Sequence, residues 1–185
     1  DGVGLRPAGG FLATEQISYM IETVKNFGGE VSMRAVGDSG EEKPYEMNVS
    51  LFGAMKGTVH GKDEMQRERF MASQTFMLGF QGIPALYIHS LLATPNDYTL
   101  FNETGHKRSL NRHRWDMDEL QHKLDDKASD QFFALHEIKH LLELRKQHKA
   151  FHPDARQITL DLIPGLVGFK RISCDKSQYV LCITN

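Results

Sequence analysis

The segment Gly82 to Arg114, GIPALYIHSLLATPNDYTLFNETGHKRSLNRHR, constrains the fold more than any other part of the chain. It opens with the breaker Gly82-Ile83-Pro84. An apolar run from Ala85 to Ser90 follows, rich in β-branched and aromatic residues. Such a run, bounded by Gly and Pro, reads as a strand buried on both faces. A long polar loop comes directly after it, carrying Asn96, Asp97, Glu103, Arg108, Asn111, Arg112 and Arg114. α/β barrels and open α/β sheets present binding groups in this way, at the C-terminal ends of parallel strands. A core strand followed by a solvated loop has the same pattern, since loops are polar by default. Spacing alone does not separate the two.

The flanks alternate in the manner of an α/β fold. Thr14 is placed to cap a helix from about Glu15 to Phe27. In it Ile17, Met20, Ile21 and Val24 form one apolar stripe, and Gly28-Gly29 ends it. Glu30 to Val36 reads as a short strand, Gly37 to Lys43 as a polar turn, and Pro44 to Met55 as ordered chain. A second helix from about Asp63 to Phe80 would turn Phe70, Gln74, Met77 and Leu78 inward. Beyond the polar loop, Asp116 and Glu119 stand three apart at a helix start. Met117, Leu120 and Leu124 form that short helix's apolar side. A long helix from about Asp130 to Lys149 buries Ala134, Ile138, Leu141 and Leu142, with Arg145 at the edge of the stripe. The tail changes period. Ile158, Leu160 and Leu162 alternate with polar residues, Pro164-Gly165 turns the chain, and Leu166–Ile172 and Tyr179–Ile183 read as two further strands. This is an antiparallel meander, a second and smaller β unit.

A formal charge of −2 gives no global basic field for nucleic acid. No apolar run approaches the ~18 residues of a membrane span, so neither nucleic acid nor a membrane is an expected partner. The N-terminus lacks the basic and apolar regions of a signal peptide. The chain begins with Asp rather than Met, which points to a fragment or a processed product. Two cysteines, Cys174 and Cys182, and no export signal suit a reducing compartment, hence a cytoplasmic location. His136-Glu137-Ile138-Lys139-His140 fits the H-E-x-x-H pattern of zinc proteases. On a helical wheel both histidines fall about 160° from Ile138, on the outer polar face, and a catalytic zinc also needs a third ligand and a walled cleft. Two solvated histidines are the expectation, with no metal and no cofactor. His106-Lys107-Arg108 and Arg112-His113-Arg114 form a basic island suited to phosphate or a carboxylate. No basic helix or aromatic platform accompanies it to favour nucleic acid. A solvated loop accounts for it equally. Asp1 is either a carboxylate at a strand's end or an exposed terminal residue, and Tyr45 and Glu46 either line a pocket or pack an ordered loop.

Taken in order, D-G-V-G-L-R-P at 1–7, P-Y-E-M-N at 44–48, R-F-M-A-S-Q at 69–74, G-I-P-A-L-Y at 82–87, N-D-Y at 96–98 and R-S-L-N-R-H at 108–113 resemble a known family. They are similar to the C-terminal half of the sucrose-phosphorylase-like enzymes of glycoside hydrolase family 13, the α-amylase family. The ordered set, rather than any one motif, carries the resemblance, and it covers nearly the whole chain. It implies an α/β fold, the C-terminal part of a (β/α)8 TIM barrel followed by the start of a small antiparallel β domain. A whole barrel needs about 250 residues. Residues 1–152 would run from the end of barrel strand seven through helix eight, with Ala85–Ser90 as strand eight. Residues 153–185 would begin the β domain. A barrel lacking most of its strands exposes apolar faces, to be covered by the N-terminal part or by another copy.

The resemblance also implies retaining α-glucoside chemistry through a glucosyl-enzyme, with inorganic phosphate as acceptor and α-glucose 1-phosphate as product. Asp1 matches the family's carboxylate that stabilises the transition state. Arg112 matches an arginine that holds the glucosyl unit. Tyr45 and Glu46 fall in a loop facing acceptor or phosphate, and Asn96, Asp97, Arg108 and Asn111 in the loop after strand eight. Sucrose-specific members have an amide near Glu46. The acid here speaks against sucrose itself; a sucrose-phosphorylase-like activity is still the leading expectation, with glucosylglycerate, or another acidic or polyol glucoside, as the alternative substrate. The nucleophile and acid/base carboxylates belong to barrel strands four and five, so the chain by itself is expected to be inactive. A non-catalytic sugar-binding module is the alternative of a different class.

Overall fold

The computed structural model describes residues 2–36 and 40–185. Asp1 and the first three residues of the expected turn, Gly37 to Ser39, lie outside the described residues. The chain opens with β1 (Val3–Gly4) and a 3-10 turn, Arg6–Ala8, before α1 (Thr14–Asn26). The apolar stripe of α1 packs as its period dictates. Ile17, Met20 and Ile21 lie against a core of Leu5, Val24, Val31, Met47 and Val49. Thr14 is the first helical residue rather than the cap. Ala13 holds the cap position, and its N–H donates to Gln16 Oε1 at 2.8 Å, the half of a capping box that comes from the third helical residue and needs no hydroxyl at the cap. The other end is a Schellman motif. The Gly29 N–H donates to Val24 O and the Gly28 N–H to Lys25 O, both at 2.9 Å, and Gly28 has φ +88°, a conformation that favours glycine.

β2 (Glu30–Val36) forms as expected and pairs antiparallel with β3 (Glu41–Asn48), which also takes β1, giving the order β1-β3-β2. Glu41 to Lys43 are thus strand rather than turn: the ladder continues to Val36↔Glu41 past a bulge at Ser32/Met33. Next come α2 (Leu51–Ala54), capped by Ser50, and a two-rung ribbon of β4 (Gly57–Thr58) and β5 (Gly61–Lys62). α3 (Gln66–Gly79) buries Phe70, Gln74 and Leu78 and half-buries Met77. It packs against α7 (Asp130–Gln147), where Phe70, Ala134 and Ile138 are fully buried and the Phe52 and Phe70 rings meet edge to face at 5.4 Å.

The expected buried strand at Ala85–Ser90 is not there. Residues 83–87 form neither helix nor strand, no described strand pairs with them, and Ile83 is 84% exposed. The run then coils into α4 (Ile88–Leu91). A parallel strand is defined by the neighbours that complete its ladder, and without them an apolar run need not be one. Leu86 and Leu91 still reach the α3–α7 core. α5 (Tyr98–Thr104), a 3-10 turn at Lys107–Asn111 and α6 (Met117–Asp125) follow. Asp116 caps α6 through the N–H groups of Asp118 and Glu119, whereas Met117 stays exposed.

The tail is the antiparallel meander expected: β6 (Arg156–Thr159), β7 (Val167–Ile172) and β8 (Tyr179–Thr184), in that order. It docks on the end of α3. Phe169 stacks on Phe80 at 5.1 Å and meets Phe76 edgewise. Arg171, wholly buried, donates to the carbonyls of Gly79, His152 and Ala155. The structure is thus mixed helix and sheet. Among the described residues no helix is long and apolar enough to cross a membrane.

Candidate functional site

The site grows from one face of the β2–β3 pair. Strand side chains alternate in direction, and the register sets Ser32 opposite Glu46 and Glu30 opposite Asn48, so these four share a face. The 3-10 turn Lys107–Asn111 lies over that face. Lys107 Nζ donates to Val31 O at 2.7 Å and stands 3.6 Å from Glu30. Arg108 grips Glu46 Oε2 through Nε at 2.9 Å and Nη2 at 2.8 Å. Both donors converge on one carboxylate oxygen, a charge-assisted contact rather than a fork over two oxygens. Between turn and sheet lies an open cavity of about 790 Å³, walled by Ser32, Tyr45, Glu46, Arg108, Arg112 and Arg114 among others.

Four of the residues singled out in the sequence, Tyr45, Glu46, Arg108 and Arg112, therefore meet in one cavity. Asn111 lies beneath them, 3% exposed, with its Oδ1 buried and without a described hydrogen-bond partner. Gly2 seats against the same pair of side chains: a Cβ there would stand 2.7 Å from Glu46 Oε1 and 3.2 Å from Asn111 Nδ2, at φ +91°. The residue next to Asp1 is thus pinned at the cavity's edge. Asn48 Nδ2 is a second buried polar atom left over, while its Oδ1 takes the Ser32 hydroxyl at 2.5 Å. Buried polar groups without partners in a site are the sort that a ligand or an ordered water completes.

Asn96 and Asp97 line none of the described cavities that hold these groups. Asn96 accepts from the Ser50 N–H at 2.8 Å and donates to Gly28 O and the Tyr98 hydroxyl, tying three loops together. Asp97 caps α5 through the Leu100 N–H at 2.8 Å and holds His113 Nδ1 at 2.6 Å, directly after Arg112. Burial is the largest influence on the Asp97 carboxyl and raises it. The Leu100 N–H, the His113 bond and charge and the Thr99 N–H together outweigh that and hold it below its ordinary value. Sequence reading missed Ser32 altogether, and it named Lys107 and His113 only as members of the basic island. The first two depend on the register of β2 and on a turn some seventy residues away, which no local pattern reports. Among the described residues no three His, Cys, Asp or Glu side chains gather to hold a metal. His136 instead stacks on Phe132, at 5.8 Å between ring centres.

No protein-family model matches the chain. Glucosylglycerate phosphorylase of Allomeiothermus silvanus is 36% identical to it over 186 residues, covering 100% of this chain and 33% of that protein. The chain is homologous to the sucrose-phosphorylase-like enzymes of the α-amylase family. Glucosylglycerate phosphorylase of Escherichia coli is 34% identical over 90% of this chain and 29% of its own length. Sucrose phosphorylase of Streptococcus mutans is 24% identical over 84% of this chain and 30% of its own. The crystal structure of sucrose 6F-phosphate phosphorylase from Thermoanaerobacter thermosaccharolyticum superposes with a TM-score of 0.75 at 16% identity, covering all of this chain and 37% of that one. At that identity the match speaks for the fold. This sucrose-phosphorylase-like chain spans about a third of the length of the relatives it matches.

Proposed function

We propose that this chain is the acceptor-side third of a retaining α-glucoside phosphorylase, and that the glucoside it serves carries an acidic aglycone. The observation that carries the reading is the match to glucosylglycerate phosphorylases at 32–36% identity, against 23–24% for sucrose phosphorylases. The cavity supports it, because it sets an acid where the sucrose-type pattern has an amide and clamps that acid with Arg108. In this reading residues 1–152 supply the last part of a (β/α)8 barrel and residues 153–185 begin a C-terminal β domain, in a cytoplasmic enzyme. The packing of α3 against α7, the helices that precede and follow the 83–87 segment in sequence, suits that arrangement.

The division of labour follows from the chemistry. A carboxylate elsewhere in the enzyme attacks the anomeric carbon and a carboxylic acid protonates the departing oxygen. From this chain, Asp1 grips ring hydroxyls and stabilises the cationic transition state. Arg112 holds the glucosyl unit, with Asn111 beneath it as a hydrogen-bonding floor. Tyr45 and the Glu46–Arg108 pair face the aglycone and then the phosphate that replaces it. Asn96 and Asp97 act at one remove, by fixing the loop that carries Arg112. Fixed positioning of this kind is worth far more than the same groups on a mobile loop. Phosphate then takes the glucosyl group, giving α-glucose 1-phosphate and the free acid.

The test is a phosphorolysis panel on the full-length protein of which the segment is part, using glucosylglycerate, glucosylglycerol and sucrose with inorganic phosphate. Release of α-glucose 1-phosphate should be fastest from glucosylglycerate, and preference for a neutral glucoside would overturn the acidic-aglycone reading. The 185-residue chain alone should release none. Release above background would show that the reacting carboxylates lie within it.

A further inference from the structure

A second cavity, of about 450 Å³, lies farther out along the β2–β3 pair, toward its connecting end, walled by Arg6, Arg34, Lys43, Pro44 and Tyr45 among others. Its three charged residues are all cations, from three different elements: the 3-10 turn Arg6–Ala8, β2 and β3. The pairing register sets Arg34 directly opposite Lys43. Like charges opposite one another on neighbouring strands are destabilising. Here the third cation, Arg6, is added to the pair, and no carboxylate lines the cavity among the described residues. Among the described residues Lys43 has one ionic contact, with Glu41 at 3.6 Å, and both side chains are more than half exposed. Arg6 and Arg34 make no ion pair with any described residue. An arrangement that costs free energy when empty and gains it with an oxyanion between the cations has the electrostatics of an anion site.

Tyr45 joins this cavity to the first. It lines both, and the Arg34 guanidinium carbon stands 5.3 Å from the centre of its ring. Both cation groups therefore border one aromatic side chain. Glu46 partly neutralises the inner group, Arg108 and Arg112, at 2.8 Å from Arg108, whereas among the described residues the outer group has only the longer Lys43–Glu41 contact at 3.6 Å.

We infer that Arg6, Arg34 and Lys43 form a second, outer anion subsite, which takes the negatively charged group of the aglycone while the inner cavity holds its hydroxyls and the sugar. The ligand is a small polyol acid, with its carboxylate in the fork of Arg34 and Lys43. This rests on the phosphorylase reading above, and it assigns the choice of an acidic over a neutral aglycone to the hairpin rather than to the basic loop at 106–114.

The experiment is an amide NMR titration of this chain with glycerate, glycerol, inorganic phosphate and glucosylglycerate at constant ionic strength. It is run on the parent and on the Arg34→Gln, Lys43→Gln and Arg156→Gln variants. Arg34, Lys43 and Arg156 side chains are exposed, so the substitutions leave the core alone. Glycerate should shift the amides around Arg34 and Lys43, glycerol should not, and either hairpin variant should weaken glycerate about tenfold, the worth of one charge-assisted bond. Arg156→Gln should leave it within twofold. Unchanged glycerate affinity in both hairpin variants overturns the subsite. Inorganic phosphate binding the same amides more tightly than glycerate also overturns it, since the cations would then serve the second substrate. Glucosylglycerate that shifts the hairpin but no amide from Arg108 to Arg112 would leave the subsite standing and remove the phosphorylase reading instead.

Discussion

Asp97 makes the loop that carries Arg112 depend on one carboxylate, and two substitutions separate its two duties. Asp97→Asn keeps an oxygen for the Leu100 N–H, because asparagine caps helices as well as aspartate does. It loses the charge that faces His113. Asp97→Ala loses both. A cap is worth about 1 kcal/mol, and a hydrogen bond to a charged group about 1.5–3 kcal/mol. The Asp97 side chain is only 12% exposed and the His113 contact is 2.6 Å, so little of the second figure is screened away. The alanine variant should therefore lose about 2.5–4 kcal/mol at pH 7. The asparagine variant keeps the cap and a neutral acceptor, and should lose about 1–2 kcal/mol. Urea denaturation of the chain, followed by circular dichroism, reads both as shifts in midpoint with an unchanged slope. The sign with pH follows from the carboxyl being held below its ordinary value in the folded chain. Its contribution is complete above the unfolded value and is lost as pH falls through the lowered folded one. The gap between parent and Asp97→Asn should thus close on acidification below about pH 4. Two variants within about 0.5 kcal/mol of the parent at pH 7, or a gap that stays constant into acid, would refute the argument.

Arg171→Met should lose about 3–4 kcal/mol in the same assay, since it leaves the carbonyls of Gly79, His152 and Ala155 without their donor; a neutral or stabilising result would mean that the cost of burying the guanidinium dominates. Gly79→Ala should lose about 1–3 kcal/mol by overpacking, because its Cβ would stand 2.9 Å from the Phe169 ring and 3.3 Å from Cys182 Sγ. A smaller loss would show that β7 shifts freely on α3. Equimolar zinc, or a chelator, should leave the melting temperature where it was. A rise with zinc, abolished by His136→Ala, would mean that the H-E-x-x-H helix binds metal in the folded state.

What could be read along the chain was whatever depends on neighbours in sequence. The stripe Ile17, Met20, Ile21, Val24 made α1, the glycines after it made its C-terminal motif, Asp116 capped α6, and the alternation after Pro153 made a meander. Each is settled within a turn or two of backbone. The run Ala85–Ser90 went the other way, because a parallel strand is a property of its neighbours and no described strand lies beside it. Tertiary structure alone decided the site. Arg108 finds Glu46 across 62 positions, Lys107 finds Val31 across 76, and Asn96 turns away from the cavity to bind Ser50. The register of β2 on β3 put Ser32 beside Glu46 on one face, and Arg34 opposite Lys43 at the outer cavity. A shift of one residue in that pairing would send every one of those side chains to the opposite face, and no local pattern of residue types encodes it.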